Sequence, residues 1–97
     1  LTSEFGRTPN INPRDGRDHW PFISSMALAG GGLRHGQVIG SSDNDGGQIK
    51  SRPVSPADLA ATIYRHMSVP LDTTYLDHRG RPNYVVDGGV PIGELFG

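Results

Sequence analysis

The sequence contains no cysteine, which excludes disulfide bridges and thiolate metal sites and leaves the compartment undetermined. Hydrophobic residues make up only 34% of the chain and aromatic residues 7%. No apolar run approaches the roughly 20 residues that a membrane span needs, and no signal peptide is recognisable. Nine basic and ten acidic side chains leave almost no net charge. The near-neutral balance argues against a surface for nucleic acid or for an anionic membrane.

Glycine and proline are abundant instead, with 14 and 8 residues. So many glycines raise the entropy cost of folding, and a short chain buries only a modest share of its surface. Disorder usually comes with a high net charge, which this chain lacks. We therefore expect a loop-rich piece that packs against apolar surface supplied by another segment. Leu1 leads directly into a polar loop, as at a clipped strand end, so residues 1–97 are expected to be the C-terminal portion of one larger domain.

The pattern after residue 54 predicts one helix. Ser55 is a favourable N-cap, Pro56 suits the first helical position, and Asp58 completes a Ser-x-x-Asp capping pattern. Val69-Pro70 should end the helix. An apolar stripe at positions i, i+4 and i+8 is expected to face the core, and it comprises Leu59, Ile63 and Met67 with Ala60 beside them.

Short apolar runs elsewhere predict strands between loops. Residues 22–29 suit a strand of mixed burial, although the periodicity fits a short helix as well, and a second short run lies at 37–39. Residues 40–47 have the Gly and Asx content of a surface loop. After the helix, residues 77–82 are typical of a turn and 84–86 of a strand. This order of elements predicts the last part of an α/β sheet.

The polar loop at residues 1–21 holds the groups best suited to chemistry. Glu4 follows what resembles a strand end, where α/β sheets bind their ligands. Glu4 offers carboxylate oxygens, and the consecutive residues Asp18 and His19 offer a carboxylate and an imidazole nitrogen. These groups suit Zn, Mn, Mg or Ca. Arg7 or Arg17 would bind the anion of a phosphate or sulfate ester. The simpler interpretation is that these loop side chains face water.

The other histidines and the acidic loop are weaker candidates. We expect His35, His66 and His78 to be surface or packing residues rather than ligands. The segment Asp43-Asn44-Asp45-Gly46 begins like a calcium-binding loop, but Val54 stands at the twelfth position, where that loop requires Glu. The sequence therefore predicts no calcium site of this kind.

Three short motifs follow one another in a recognisable order. They are Thr2-Ser3-Glu4-Phe5-Gly6, His19 before Trp20-Pro21-Phe22, and Asp58-Leu59-Ala60-Ala61-Thr62-Ile63. Their order resembles the C-terminal part of the alkaline phosphatase superfamily, which includes sulfatases. That superfamily has a Thr-Ser/Ala-Asp-His-Gly loop after a strand, a later metal-binding His, and a helix that opens Asp-Leu-x-x-Thr-Leu/Ile. The resemblance implies an α/β fold, in which this chain is a loop-rich C-terminal fragment of an alkaline-phosphatase-like three-layer sandwich.

Longer stretches are similar to one branch of that superfamily. They are Ser3-Glu4-Phe5-Gly6-Arg7-Thr8-Pro9, Gly16-Arg17-Asp18-His19-Trp20-Pro21 and Ala29-Gly30-Gly31-Gly32. The branch is a large bacterial family of unknown function, sulfatase-like in fold, and its full-length members often begin with a twin-arginine export signal. The similarity covers nearly the whole chain, through Phe96. It implies a periplasmic or exported protein, a bound divalent metal, and a nucleophile upstream of this chain.

The resemblance implies a metal-dependent hydrolase of phosphate or sulfate esters, of small molecules or of polysaccharides. Glu4 and His19 would be metal ligands, Asp18 a third ligand or the hydrogen-bond partner of one, and Arg7 or Arg17 the anion clamp. Phe5 stands where the superfamily has a metal-binding His. One of the two metals of that superfamily would therefore lack a ligand here, unless Asp18 takes the place of the missing His. Phe5 therefore favours the alternative, a non-catalytic exported binding or scaffold protein of the same fold.

A third interpretation makes the chain an autonomous adhesion-like module. The sparse apolar content fits that interpretation least, because such a module must fill a core of its own. The remainder of a parent chain is the expected partner.

Overall fold

One α-helix and three two-stranded antiparallel sheets make up the secondary structure, and long loops connect them. The computed structural model describes all residues, 1–97. The first unit, Leu1–Pro53, contains β1 (Gly6–Arg7), β2 (His19–Trp20), β3 (Ser41–Ser42) and β4 (Ile49–Ser51). The second unit, Val54–Gly97, contains α1 (Pro56–His66), β5 (Thr74–Leu76), β6 (Pro82–Tyr84) and a 3₁₀ turn at Gly93–Leu95.

The predicted helix is confirmed, with the predicted cap. The Ser55 hydroxyl accepts the Asp58 N–H at 3.1 Å, and the Asp58 carboxylate accepts the Ser55 N–H at 2.9 Å. The two bonds satisfy donors that a helix N-terminus otherwise leaves unpaired. The helix ends at His66, and Ser68 then takes a left-handed conformation with φ 60°. Since that conformation cannot continue a right-handed helix, the end falls a few residues before Pro70.

The buried face of α1 differs from the predicted stripe. Ile63 is 52% exposed and Met67 67% exposed, whereas Ala61 and Thr62 are buried. The reason is that the C-terminal segment at residues 89–95 packs on the side of the helix that carries the smaller residues. The prediction that Ile63 and Met67 face the core of this chain is therefore wrong.

Two polar side chains of α1 hold that C-terminal segment. The Val90 N–H donates to the Asp58 carboxylate at 2.9 Å, and the Ile92 N–H donates to the Thr62 hydroxyl, also at 2.9 Å. Thr62 in turn donates its hydroxyl proton to the Asp58 carbonyl at 2.7 Å. Gly89 lies so close to the helix that a β-carbon there would overlap the Ala57 carbonyl group. The polar bonds and the close approach together fix the segment that supplies Ile92 and Leu95 to the small core.

The strand predicted at residues 22–29 does not form. The segment has no regular structure, and Phe22, Met26 and Leu28 are between 40% and 60% exposed. Its only backbone pairing is with Leu1, because Leu1 and Ala27 exchange N–H···O bonds of 2.8 Å each. One pair of bonds is not enough to make a strand, which needs a neighbour along its length. The run at 37–39 also stays outside any strand.

The β5–β6 hairpin contains the predicted turn, but its second strand begins two residues earlier than predicted. Its turn is held by Asp77, whose carboxylate accepts the N–H groups of Arg79 at 2.8 Å and Arg81 at 2.9 Å. The Arg81 N–H bond in particular holds the pKa of Asp77 below its usual value. The strand lies at Pro82–Tyr84 rather than at residues 84–86, and the Val85 N–H continues the pairing to the Thr73 carbonyl at 3.0 Å.

The fold class agrees with the prediction at a coarse level. The chain combines one helix with short antiparallel sheets and is rich in loops, as expected. The three sheets have two strands each and show no three-layer sandwich, so the membership of this chain in such a fold stays a prediction. No helix has the length and apolar character needed to cross a membrane.

Candidate functional site

The predicted site residues lie on one structural element, the opening hairpin, which we define as residues 4–20. Its strands pair in antiparallel register, with Gly6 opposite Trp20 and Arg7 opposite His19. Thr8 extends the pairing, since its N–H donates to the Asp18 carbonyl at 3.0 Å and its hydroxyl accepts the Asp18 N–H at 3.2 Å. The hairpin therefore brings the Glu4 end of the chain and the Asp18-His19 pair to the same strand pair.

Asn12 organises the tip of the opening hairpin. Its side-chain oxygen accepts the N–H groups of Arg14 at 2.9 Å and Gly16 at 3.1 Å, and its amide NH₂ donates to the Asp18 carboxylate at 3.1 Å. Asp15 occupies the left-handed region with φ 59°. An Asx side chain that bonds the following backbone in this way is a common device for closing a turn. The tip is thus held by Asn12, although the sequence reading assigned it no role.

The two arginines predicted as anion clamps both contact the hairpin itself. The Arg17 guanidinium donates to the carbonyls of Thr8 at 2.8 Å and Pro9 at 2.6 Å. The Arg7 guanidinium donates to the Arg17 carbonyl at 3.2 Å and lies 5.6 Å from the centre of the Phe5 ring. In this conformation both cations stabilise the loop that they belong to.

Phe5 and His19 form the closest ring contact of the hairpin. Their ring centres are 3.8 Å apart and their planes are inclined by 26°. Glu4 immediately precedes Phe5, is exposed, and makes no hydrogen bond. The stack therefore places the His19 imidazole beside Phe5, the residue that follows Glu4.

Asp18 is oriented differently from His19. Neighbouring residues of an extended strand point their side chains to opposite faces, and the Asp18 carboxylate is bonded to Asn12 at the tip. No group of three or more His, Asp or Glu side chains in the chain is arranged to hold a metal ion. Glu4, Asp18 and His19 therefore do not form a ligand set of three in this structure. Binding of a metal by these residues stays a prediction.

A family model described as "Protein of unknown function (DUF1501)" matches residues 1–96. The chain belongs to this family. No curated protein and no solved structure matches it.

Membership of the DUF1501 family confirms one part of the sequence reading, namely that the chain is a member of a family of unknown function. The resemblance to the alkaline phosphatase superfamily and the expected export stay predictions. The match spans both units, so the opening hairpin and α1 are parts of the same family domain.

Trp20 links the opening hairpin of this DUF1501 domain to the loop before β4. Its indole N–H donates to the Gly47 carbonyl at 2.8 Å, and its ring meets Phe22 edge-on at 4.7 Å between centres. The Asp43 carboxylate holds that loop by accepting the Gly47 N–H at 2.9 Å. Trp20 therefore packs against Phe22 and bonds the Gly47 loop, and Asp43 caps a turn.

The remaining histidines lie apart from the opening hairpin's stack. His35 accepts the Gly30 N–H at 2.8 Å, which closes a glycine-rich turn. His66 lies near Phe96, with 6.5 Å between ring centres, and His78 is exposed in the β5–β6 turn. Their contacts are those of surface and packing residues, in agreement with the prediction.

An open cleft of about 260 Å³ lies at the tip of the hairpin, and Asn12, Pro13, Arg14 and Asp18 line it. The Arg14 guanidinium makes no hydrogen bond or ion pair, in contrast to the guanidinium groups of Arg7 and Arg17, which bond hairpin carbonyls. Arg14 is not among the site residues predicted from the sequence. The Asn-Pro pair before it is a turn signal that could have indicated a loop tip.

Proposed function

We propose that this domain takes part in metal-dependent hydrolysis of phosphate or sulfate esters, with Glu4 and His19 as two of the metal ligands. The observation that carries the proposal is the Phe5–His19 stack, with 3.8 Å between ring centres. It holds an imidazole beside Phe5, the residue that follows the exposed Glu4, whose carboxylate has no hydrogen bond or ion pair. The order of motifs that resembles the alkaline phosphatase superfamily supports the same assignment.

The donor set agrees with the chemistry of such a centre. One carboxylate oxygen and one imidazole nitrogen suit zinc or manganese, and zinc sites usually contain three or four protein ligands. Further ligands must therefore come from outside the Glu4–His19 pair. A divalent ion bound there would polarise the ester and stabilise the negative charge that develops on its oxygens.

The residues of this chain would orient the ligands and the ester. Phe5 limits rotation of the His19 ring by stacking on it. The Asn12 bond to Asp18 holds the strand that carries His19. Arg7 and Arg17 each use only Nη1 on hairpin carbonyls, so their other guanidinium N–H groups would contact an ester anion.

A second candidate is a non-catalytic binding or scaffold protein of the same fold. It is favoured by Phe5, which covers one face of the His19 ring, and by the lack of a group of three metal-binding side chains. In this case the hairpin would be a structural remnant of a metal site, because a fold by itself does not determine an activity.

Elemental metal analysis of the purified protein distinguishes the two. The variants are Glu4→Gln and His19→Ala, and the matched control is His78→Ala, which removes an exposed histidine far along the chain from the stack. The hydrolase proposal expects a divalent ion in the unmodified protein and in His78→Ala. It expects the ion to be lost from Glu4→Gln and from His19→Ala. Circular dichroism of each variant separates loss of metal from loss of fold.

Chromogenic phosphate and sulfate monoesters then test the activity of the metal-loaded protein. Hydrolysis that disappears in Glu4→Gln and His19→Ala would support the assignment. Absence of metal from the parent after incubation with excess zinc and manganese would refute the hydrolase and favour the binding protein.

A further inference from the structure

The chain contains three Asp-Gly steps, at Asp15-Gly16, Asp45-Gly46 and Asp87-Gly88. An aspartate that precedes glycine can cyclise, because the glycine amide nitrogen has no neighbouring β-carbon to keep it from the aspartate side chain. The three sites share this local chemistry. Any difference between them in the folded protein must therefore come from the structure.

The glycine amides of two of these steps are held by hydrogen bonds. The Gly16 N–H donates to the side-chain oxygen of Asn12 at 3.1 Å, and the Gly46 N–H donates to the Asp43 carbonyl at 3.1 Å. The Gly88 N–H makes no hydrogen bond. Turning the amide nitrogen toward the aspartate carboxyl would break a bond at the first two sites and none at Gly88.

Gly89 packs against the Ala57 carbonyl group, and the nearest backbone hydrogen bonds lie at residues 85 and 90, on either side of Gly88. Val85 is held before it by the bond to Thr73, and Val90 is held after it by the bond to Asp58. Between these anchors Asp87 is exposed and its carboxylate has no hydrogen bond or ion pair. Gly88 itself has φ 75°, a conformation that glycine adopts freely. The Gly88 amide can therefore turn toward the Asp87 carboxyl without breaking a hydrogen bond.

We propose that Asp87 is a site of spontaneous aspartate isomerisation in the folded protein, and that it reacts ahead of Asp15 and Asp45. The Gly88 nitrogen attacks Cγ of the protonated Asp87 carboxyl, so that a C–N bond forms. The carboxyl hydroxyl leaves with the amide proton as water, which gives a cyclic succinimide. Water then adds to one of the two ring carbonyls. Opening at Cγ restores aspartate, and opening at the main-chain carbonyl gives isoaspartate.

The product has a structural consequence for the second unit. Isoaspartate routes the backbone through the side chain and inserts one extra methylene before Gly88. The chain that follows carries the Val90 and Ile92 N–H groups, which are bonded to Asp58 and Thr62. A longer backbone shifts both donors relative to their acceptors. Isomerisation at Asp87 is therefore expected to lower the melting temperature of the protein.

Peptide mapping of the aged protein tests the proposal. The purified protein is incubated at neutral pH and physiological temperature, and isoaspartate is quantified at each Asp-Gly step by methyltransferase labelling and mass spectrometry. The expected result is isoaspartate at Asp87 in several-fold excess over Asp15 and Asp45. The same incubation in denaturant should bring the three sites to similar levels, because only the fold distinguishes them.

The variant Asp87→Glu keeps the charge, but its longer side chain could cyclise only to a six-membered ring, which forms less readily than the succinimide. The isomerised product at residue 87 should therefore disappear in this variant. The proposal would be overturned if the folded protein contained equal isoaspartate at the three sites, or more at Asp15 or Asp45 than at Asp87. A folded protein in which residue 87 stays unmodified while the denatured chain reacts there would also overturn it.

Discussion

Replacement of Thr62 by valine tests how the second unit is held together. Thr62 is 2% exposed, and its hydroxyl both accepts the Ile92 N–H at 2.9 Å and donates to the Asp58 carbonyl at 2.7 Å. Valine has nearly the same shape, so the variant removes two hydrogen bonds without leaving a cavity. The Ile92 N–H is then buried without an acceptor, which costs about 1–3 kcal/mol. The loss of stability should lower the melting temperature by about 10 °C.

Two measurements check this expectation. Denaturant unfolding gives the change in the free energy of unfolding, and amide hydrogen exchange reports the protection of the Ile92 N–H directly. Thr62→Ser is the matched variant, because it keeps the hydroxyl and loses one methyl group, at a cost of about 1 kcal/mol. Thr74→Val, at an exposed strand position, should stay within about 0.5 kcal/mol of the parent.

The reasoning would be refuted by a Thr62→Val protein with unchanged stability and unchanged exchange at Ile92. That result would mean that water or another acceptor replaces the hydroxyl at no cost. The role assigned to the C-terminal segment in covering α1 would then have to rest on apolar packing alone.

Three further predictions concern the helix cap, a close approach and a turn. Ser55→Ala removes one half of the capping box and should destabilise the protein by about 1 kcal/mol in denaturant unfolding. Gly89→Ala places a methyl group against the Ala57 carbonyl and should cost about 1–3 kcal/mol, whereas Gly93→Ala, which meets open space, should be nearly neutral in the same assay. The pKa of Asp77 is lowered, chiefly by the Arg81 N–H, so its stabilisation of the turn is present above the ordinary pKa of 3.8 and is lost as the pH falls through the lower folded value. The Arg81 amide proton shift, followed by NMR during acid titration, should report this loss and should be independent of pH in that range in Asp77→Asn.

The candidate site was only partly accessible from the sequence. Glu4, Asp18 and His19 were found as a set of chemically suitable side chains, and the hairpin does bring their strands together. Their relation to one another was not accessible, because it depends on the register of the strand pair and on the stack of Phe5 on His19. The bonds of Arg17 to the Thr8 and Pro9 carbonyls were equally hidden, since the sequence does not show where a loop folds back on itself.

The sequence by itself determined the features that depend on near neighbours in the chain. The α1 cap joins residues three apart, and the Asp77 turn joins residues two and four apart, so their side-chain types are enough to predict them. Only the tertiary structure decided which face of α1 is buried and that residues 22–29 form no strand. Those outcomes depend on which distant segment packs against each element. Residues 89–95 cover Ala61 and Thr62 and leave Ile63 exposed, and no strand pairs with residues 22–29. Burial and strand pairing need a partner, and its position is a property of the folded chain and not of the local pattern.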